Sequence, residues 1–508
     1  PAGTSGAFAD LGRTGAPIKV LGAGGLEHHV QDTVKLKAAL DLGDVAQLSY
    51  VIALWHDDTH GTAETYLANA ANQPVYTGAF SSNVYRRDSL HWSHVLNLQG
   101  GAPRLDWQVV GTVYDYARDT QRSPTGLLPA AFAGGAGNVQ RMDGTGWVTL
   151  DTKAAWHADG GDTNVLSFGA HFDRYRLESD RYTTPDWTSP QQDALNQASR
   201  GKTRIVALWA QDAVKFTPAL TLMLGARYEW WRAWNGLNFS TVPPLNVTQP
   251  ERRAEGFSPK ATLDWRPAAG WRAKASFGQA VRFPTVGELY QAITTGPTLT
   301  SPDPNLAPER ARSEEVAIEH DDGHGTVRLS LFNEVVTHAL ISQSGTLPGL
   351  AGTFSFVQNV DRTRARGVEL AIDRRDVVPT VDVSANVTYA DAVTSKDTAF
   401  PAAVGKLLPS VPHWKANAVV TWRPAPQLSL TAAARYASRM YATIDNSDPV
   451  GNTYTGFYKY LVIDLRALFK VNDHFEFALG VDNLTNDKYF LFHPFPQRSL
   501  TAQVNWKL

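Results

Sequence analysis

The chain has 508 residues, with 47 Lys and Arg against 49 Asp and Glu for a net charge of −2, and it contains no cysteine. Balanced charge with no block of one sign removes the electrostatic case for a nucleic-acid partner. The missing cysteines exclude disulfide frameworks, thiolate metal sites and cysteine nucleophiles, and suit an oxidising compartment.

A period of two starts early in the chain, where Val34, Leu36, Ala38 and Leu40 alternate with Thr33, Lys35, Lys37 and Ala39. That is the pattern of a strand with one apolar and one polar face. It recurs at Leu220, Leu222, Leu224, Ala226 and Tyr228, set against Thr221, Met223, Gly225, Arg227 and Glu229, and again at Ala261, Leu263 and Trp265. Further on, Val381, Val383, Ala385, Val387 and Tyr389 oppose Asp382, Ser384, Asn386 and Thr388, and Trp414 to Trp422 alternate in the same way. Phe475, Phe477, Leu479 and Val481 follow, and Leu500, Ala502, Val504, Trp506 and Leu508 close the chain. No comparable helical period occurs, and no apolar run reaches the ~18 residues of a membrane helix.

The connectors fall into two alternating classes. Short ones lie at 41–44, 100–104, 267–270, 321–325, 424–427 and 471–474; long ones at 56–90, 115–145, 230–256, 282–313, 391–413 and 438–459. Short turns on one side, long loops on the other, and strands of about 10 residues edged by aromatics describe a transmembrane β-barrel. A soluble sandwich also has period two, but it would bury Arg227, Glu229, Lys260, Asp264, Arg272, Lys274, Asp464 and Arg466 in a dry core at high cost. A wet lumen accepts them. The alternation therefore points Leu220, Leu222, Leu224, Val383, Ala385 and Val387 at lipid, and Arg227, Lys260, Asp264, Asp382 and Asn386 at the lumen.

Several blocks then carry a resemblance. Phe257-Ser-Pro-Lys-Ala-Thr-Leu-Asp-Trp265 is followed by Ala275 to Tyr290 with its Val-Arg-Phe-Pro segment, by Asn305-Leu-Ala-Pro-Glu309 with Ser313-Glu-Glu315, by Asn359-Val-Asp-Arg and Arg366-Gly-Val-Glu-Leu370, and by Gly480-Val-Asp-Asn-Leu-Thr-Asn-Asp-Lys-Tyr489. In content and order these resemble the barrel of TonB-dependent outer-membrane receptors; Trp147-Val-Thr-Leu-Asp151 and Trp209-Ala-Gln-Asp212 extend the likeness more loosely. One departure is the last residue, Leu508, where the family usually has an aromatic.

The expected fold is all-β, a large antiparallel transmembrane β-barrel of the 22-stranded receptor type, with about 19 strands read in this chain by counting hairpins. Residues 1–27 are expected to be a loop-like N-terminal segment and residues 28–508 the barrel with long extracellular loops. The resemblance implies the outer membrane of a Gram-negative bacterium, outer-membrane lipid as a partner, and active uptake of a scarce small-molecule ligand such as an iron-siderophore complex. It also implies a TonB contact made through a plug domain; no stretch of the chain matches a plug, so the plug is expected to lie outside these residues. The alternatives are a passive diffusion pore, or a receptor for cobalamin, another metal chelate or a saccharide.

Chemistry is sparse. His56-Asp-Asp-Thr-His60 offers imidazoles and carboxylates but satisfies no ligand-spacing rule, and both His91 with His94 and His28 with His29 should face opposite sides of a strand. The Gly-x-Ser-x-Gly, His-Glu-x-x-His and phosphate-loop patterns are missing, so no catalytic residue, metal site or cofactor is expected and the chain is not read as an enzyme. Ligand contacts are expected on the external loops, at Trp231, Trp234, Arg282, Tyr290, Tyr441 and Tyr454. There, aromatic rings and Arg suit a flat anionic chelate, although Trp and Tyr also gather at membrane interfaces.

Overall fold

The structure, a computed structural model, describes residues 3–158, 160–295, 298–345 and 353–507. Of 27 strands, four make two separate hairpins and four are short additions within connections, which leaves nineteen long strands among the described residues. In chain order they are β1 (Gly22–Leu42), β2 (Ala46–Thr65), β3 (Tyr85–Ala102), β4 (Leu105–Pro124), β5 (Gly146–His157), β6 (Asn164–Thr184), β7 (Leu195–Thr217), β8 (Leu220–Ser240), β9 (Arg252–Trp265) and β10 (Trp271–Arg282). There follow β11 (Glu309–Asp321), β12 (Gly325–Gly345), β13 (Thr353–Val378), β14 (Val381–Lys396), β15 (Trp414–Ala425), β16 (Leu428–Ala437), β17 (Tyr460–Lys470), β18 (Phe475–Asp482) and β19 (Ser499–Trp506). Each pairs antiparallel with the next, and the sheet curls into a barrel.

The two faces follow the sequence alternation. One register row carries Leu222, Leu263, Ala275, Val316, Leu331 and Val368 across adjacent strands, with Val316 and Leu331 more than half exposed on the outside. The row beside it carries Met223, Thr262, Ser276, Glu315 and Phe332 on the lumen side. Lumen charges meet each other: Arg227 donates to Glu229 at 2.9 Å and Arg423 to Asp382 at 2.5 Å. Polar pairs such as Asn417 with Asn386 continue this wet face.

Strand length departs from expectation. β2 runs on through the segment read as loop from His56 to Thr65, and β8 continues to Ser240, so Trp230, Trp231 and Trp234 stand on a strand. Beyond the bilayer both faces of a hairpin are wet, so the apolar alternation fades while the backbone ladder continues. Residues 1–27 also differ from a plain loop: Phe8–Leu11 pairs with Pro17–Val20 in a hairpin, and β1 begins at Gly22.

That hairpin lies across the mouth. Ser5 and Ala68 exchange backbone hydrogen bonds at 3.0 and 3.1 Å, Val450 N donates to Arg13 O, and Thr453 donates to Leu11 O at 2.8 Å. It thus bridges the loop after β2 and the loop after β16. Beneath it, β19 and β1 are neighbours at the seam of the barrel. No residue register joins them among the described residues, and both are exposed on both faces, with Leu36 at 64% and Leu500 at 78%.

Candidate ligand-binding mouth

The long connection between β10 and β11 folds inward and builds a small core at the mouth. Thr285 and Glu288 cap helix α1 (Val286–Tyr290) reciprocally: Thr285 Oγ1 accepts from Glu288 N, and the Glu288 carboxylate accepts from Thr285 N. This satisfies orphan amides of the first turn. Leu289 and Tyr290 are fully buried, together with Leu177 of β6, Trp231 and Ala233 of β8, Phe283 and Leu306. Tyr290 reaches the wall because β7 and β8 present glycine there; a Cβ at Gly201 or Gly236 would run into its ring.

The blocks that carry the sequence resemblance prove to be joints of this architecture. Leu306 of the Asn-Leu-x-Pro-Glu segment is buried in the mouth core, Glu309 accepts from Leu340 N at 2.7 Å, and Asn359 grips the backbone of Ala307 at 2.7 and 3.0 Å. In the C-terminal block, Asn483 donates to Asp487 O and accepts from Asp487 N, closing a turn.

The structure does not gather the six expected ligand-contact residues into one cluster. Trp231 and Tyr290 are packed away: Trp231 stacks on Phe283 at 5.8 Å, and both are core residues of the mouth. Trp231 points to the lumen side of β8 where α1 covers it, and Tyr290 ends α1 with its ring against Gly201 and Gly236 of the wall. Trp234 lies on the outward face beneath the Arg232 guanidinium, 5.1 Å from its ring centre. Arg282 pairs with Glu288 of α1. Tyr441 lies beneath Arg439 at 4.9 Å, and Tyr454 is half exposed, edge-on to Phe490 at 5.6 Å. Arg282, Tyr441 and Tyr454 therefore remain at the mouth, on two different connections.

Residues assigned no ligand-contact role from the sequence form a continuous shelf on the lumen wall from β2 to β6. Trp55 meets His91 at 5.0 Å, His91 stacks on Tyr116 at 3.8 Å and meets Tyr114 at 5.6 Å, Tyr114 stacks on Trp147 at 4.2 Å, and Trp147 meets Tyr175 at 6.0 Å. The signal was present as aromatics on the polar face of successive strands. Beside the shelf, Asp119 accepts from Arg87 at 2.7 Å and contacts His91 at 3.1 Å, while His29 lies between Glu27 and Asp57. Such a wall can stack a planar ligand and bond its polar rim.

The His56 to His60 segment is divided by strand alternation. Asp57 and Thr59 are buried on the lumen side, and His56 on the other face lies between Asp32 and Asp88 at 3.6 and 3.4 Å. His91 points inward and His94 outward to Tyr50, 2.7 Å away.

Comparison with known proteins follows the same outline. The chain is 23% identical, over 458 residues, to the probable TonB-dependent siderophore receptor PiuA of Acinetobacter baumannii, which covers 86% of this chain and 56% of that protein. The chain thus spans little more than half of this curated relative. Its fold matches the solved structure of the ferric citrate transporter FecA (TM-score 0.67, 16% identity, 94% of this chain and 70% of the other). It also matches that of the copper transporter OprC (TM-score 0.68, 14% identity, 94% and 72%). The family model described as TonB dependent receptor-like, beta-barrel matches residues 37–484, and the chain, an outer-membrane β-barrel, belongs to that family.

Proposed function

We propose that this barrel serves a receptor that captures a scarce ligand, most suitably a ferric siderophore, and passes it across the outer membrane with energy delivered through TonB. The observation that carries the reading is the family match along residues 37–484; a relative named as a siderophore receptor supports the cargo. The mechanism is binding, with no covalent step. Arg282 at the mouth end of β10 and loop residues Tyr441 and Tyr454, with the lumen shelf at Trp147 and Tyr175, present cationic and aromatic groups to an anionic, planar chelate. The polar lumen supplies the path. In receptors of this kind the energy-coupling contact belongs to a plug domain, so the barrel provides capture and passage, and the plug provides the gate.

The test is uptake of iron-55 as siderophore chelates by iron-starved cells producing the protein from its native locus, with and without TonB. Accumulation that requires both the protein and TonB supports the reading. Uptake that persists unchanged without TonB would assign a passive pore instead. Binding to purified protein that is unaffected by Trp147→Ala and Tyr175→Ala would remove the shelf from the site.

A further inference from the structure

Four arginines stand directly opposite one another on four adjacent strands: Arg174 of β6 faces Arg204 of β7, Arg204 faces Arg232 of β8, and Arg232 faces Arg253 of β9. In the next position toward the mouth, Arg176 faces Lys202. Like charges placed directly opposite across strands are destabilising, so such a row calls for an anionic counterpart. The protein supplies only part of one. Arg232 and Arg253 share Glu251, at 2.5 and 2.8 Å, and Arg176 pairs with Glu178 at 2.8 Å. Among the described residues Arg174, Arg204 and Lys202 have no carboxylate partner.

The row lies on the outside of the barrel. The alternate positions of the same strands are buried on the lumen side, including Asp173, Thr203, Trp231 and Ala233. Below the row the same outward face becomes mainly aromatic and apolar: Phe172 faces Val206, Val206 faces Trp230, and Leu208 faces Tyr228 beside Phe257, with one carboxylate, Glu255 opposite Trp230, accepting from the Tyr228 hydroxyl. Leu208, Trp230 and Phe257 are 55%, 41% and 50% exposed. An aromatic girdle marks the edge of the hydrocarbon layer. The arginines therefore stand at the height of lipid headgroups, on the side that carries the long loops.

We propose that Arg174, Arg204, Arg232 and Arg253, with Lys202 and Arg176, bind the phosphate groups of a phosphorylated glycolipid of the outer leaflet. Guanidinium forks match phosphate oxygens in pairs, and the girdle beneath receives the acyl chains of the same molecule. That second contact separates a lipid headgroup from free phosphate.

The test is native mass spectrometry of the purified chain in detergent, titrated with diphosphoryl lipid A, dephosphorylated lipid A and inorganic phosphate. Wild type should hold diphosphoryl lipid A roughly tenfold or more tightly than R174Q/R204Q does, in line with the attraction of each basic residue to anionic lipid. R174K/R204K should recover part of the binding, dephosphorylated lipid A should bind weakly, and millimolar inorganic phosphate should not displace the lipid. Folding of each variant is checked by its heat-induced shift in gel mobility, and R204Q alone replaces the double variant if that one fails to fold. Equal binding by the Gln variants or by dephosphorylated lipid A would overturn the proposal. Displacement by inorganic phosphate would reassign the row to the free ion.

Discussion

Leu222 and Met223 are consecutive in the chain and stand on opposite faces of the barrel wall, Leu222 in the lipid-facing row and Met223 beside Thr262 in the lumen. Leu222→Arg should cost about 2 to 4 kcal/mol of folding free energy in bilayers, the range for a lipid-facing Arg near the midplane, whereas Met223→Arg should be tolerated. Urea titrations of the two variants in lipid vesicles check this, and equal costs would contradict the assigned faces. Tyr290 gives a second contrast. It has no exposed surface, and its hydroxyl has no hydrogen-bond partner among the described residues. If its role is packing, Tyr290→Ala should destabilise the mouth by about 3 to 5 kcal/mol, and Tyr290→Phe, which removes an unsatisfied polar group, should be neutral or stabilising by about 1 kcal/mol. A large loss with Phe would point to a polar role for the hydroxyl.

At the scale of elements, the lipid-facing half of each strand was legible because one face meets hydrocarbon and the other water, which writes a period of two into β8, β9 and β14. Where β2 and β8 rise into solvent that contrast vanishes, so 56–65 and 230–240 read as loop although their ladders continue. The same limit explains the site residues. Nothing local in the sequence distinguishes Trp231, turned inward onto Phe283, from Trp234, turned outward under Arg232; the assignment depends on strand register. Because the chain lacks cysteine, single substitutions can read the topology directly. An impermeant maleimide applied to intact cells should label Ser240→Cys, at the long-loop end of β8, and should leave Val45→Cys, in the short turn between β1 and β2, unlabelled. The reverse pattern would turn the barrel over in the membrane.

At the scale of the whole molecule, nineteen strands set a geometric condition. β1 runs from the long-loop end to the short-turn end, and so does β19, because an odd number of antiparallel strands returns the chain to its starting direction. The two seam strands are therefore parallel, unlike every other neighbouring pair of long strands, and bacterial barrels of one chain are generally even-stranded and antiparallel throughout. The hairpin of Phe8–Leu11 with Pro17–Val20 spans the mouth above the seam, through bonds to the loops after β2 and β16, and leaves the ladders of β1 and β19 unchanged below. A strand edge facing lipid leaves backbone groups unsatisfied at several kcal/mol each. In detergent, where water reaches the edge, the consequence is measurable by hydrogen exchange. About half of the β1 amides, those bonded to β2, should be protected, since an antiparallel neighbour on one side engages alternate residues. The other half, and the corresponding amides of β19, should exchange at the earliest labelling time, while β7 and β8, paired on both sides, stay protected throughout. Full protection along both β1 and β19 would show that the seam is zipped and that the two strands pair in parallel.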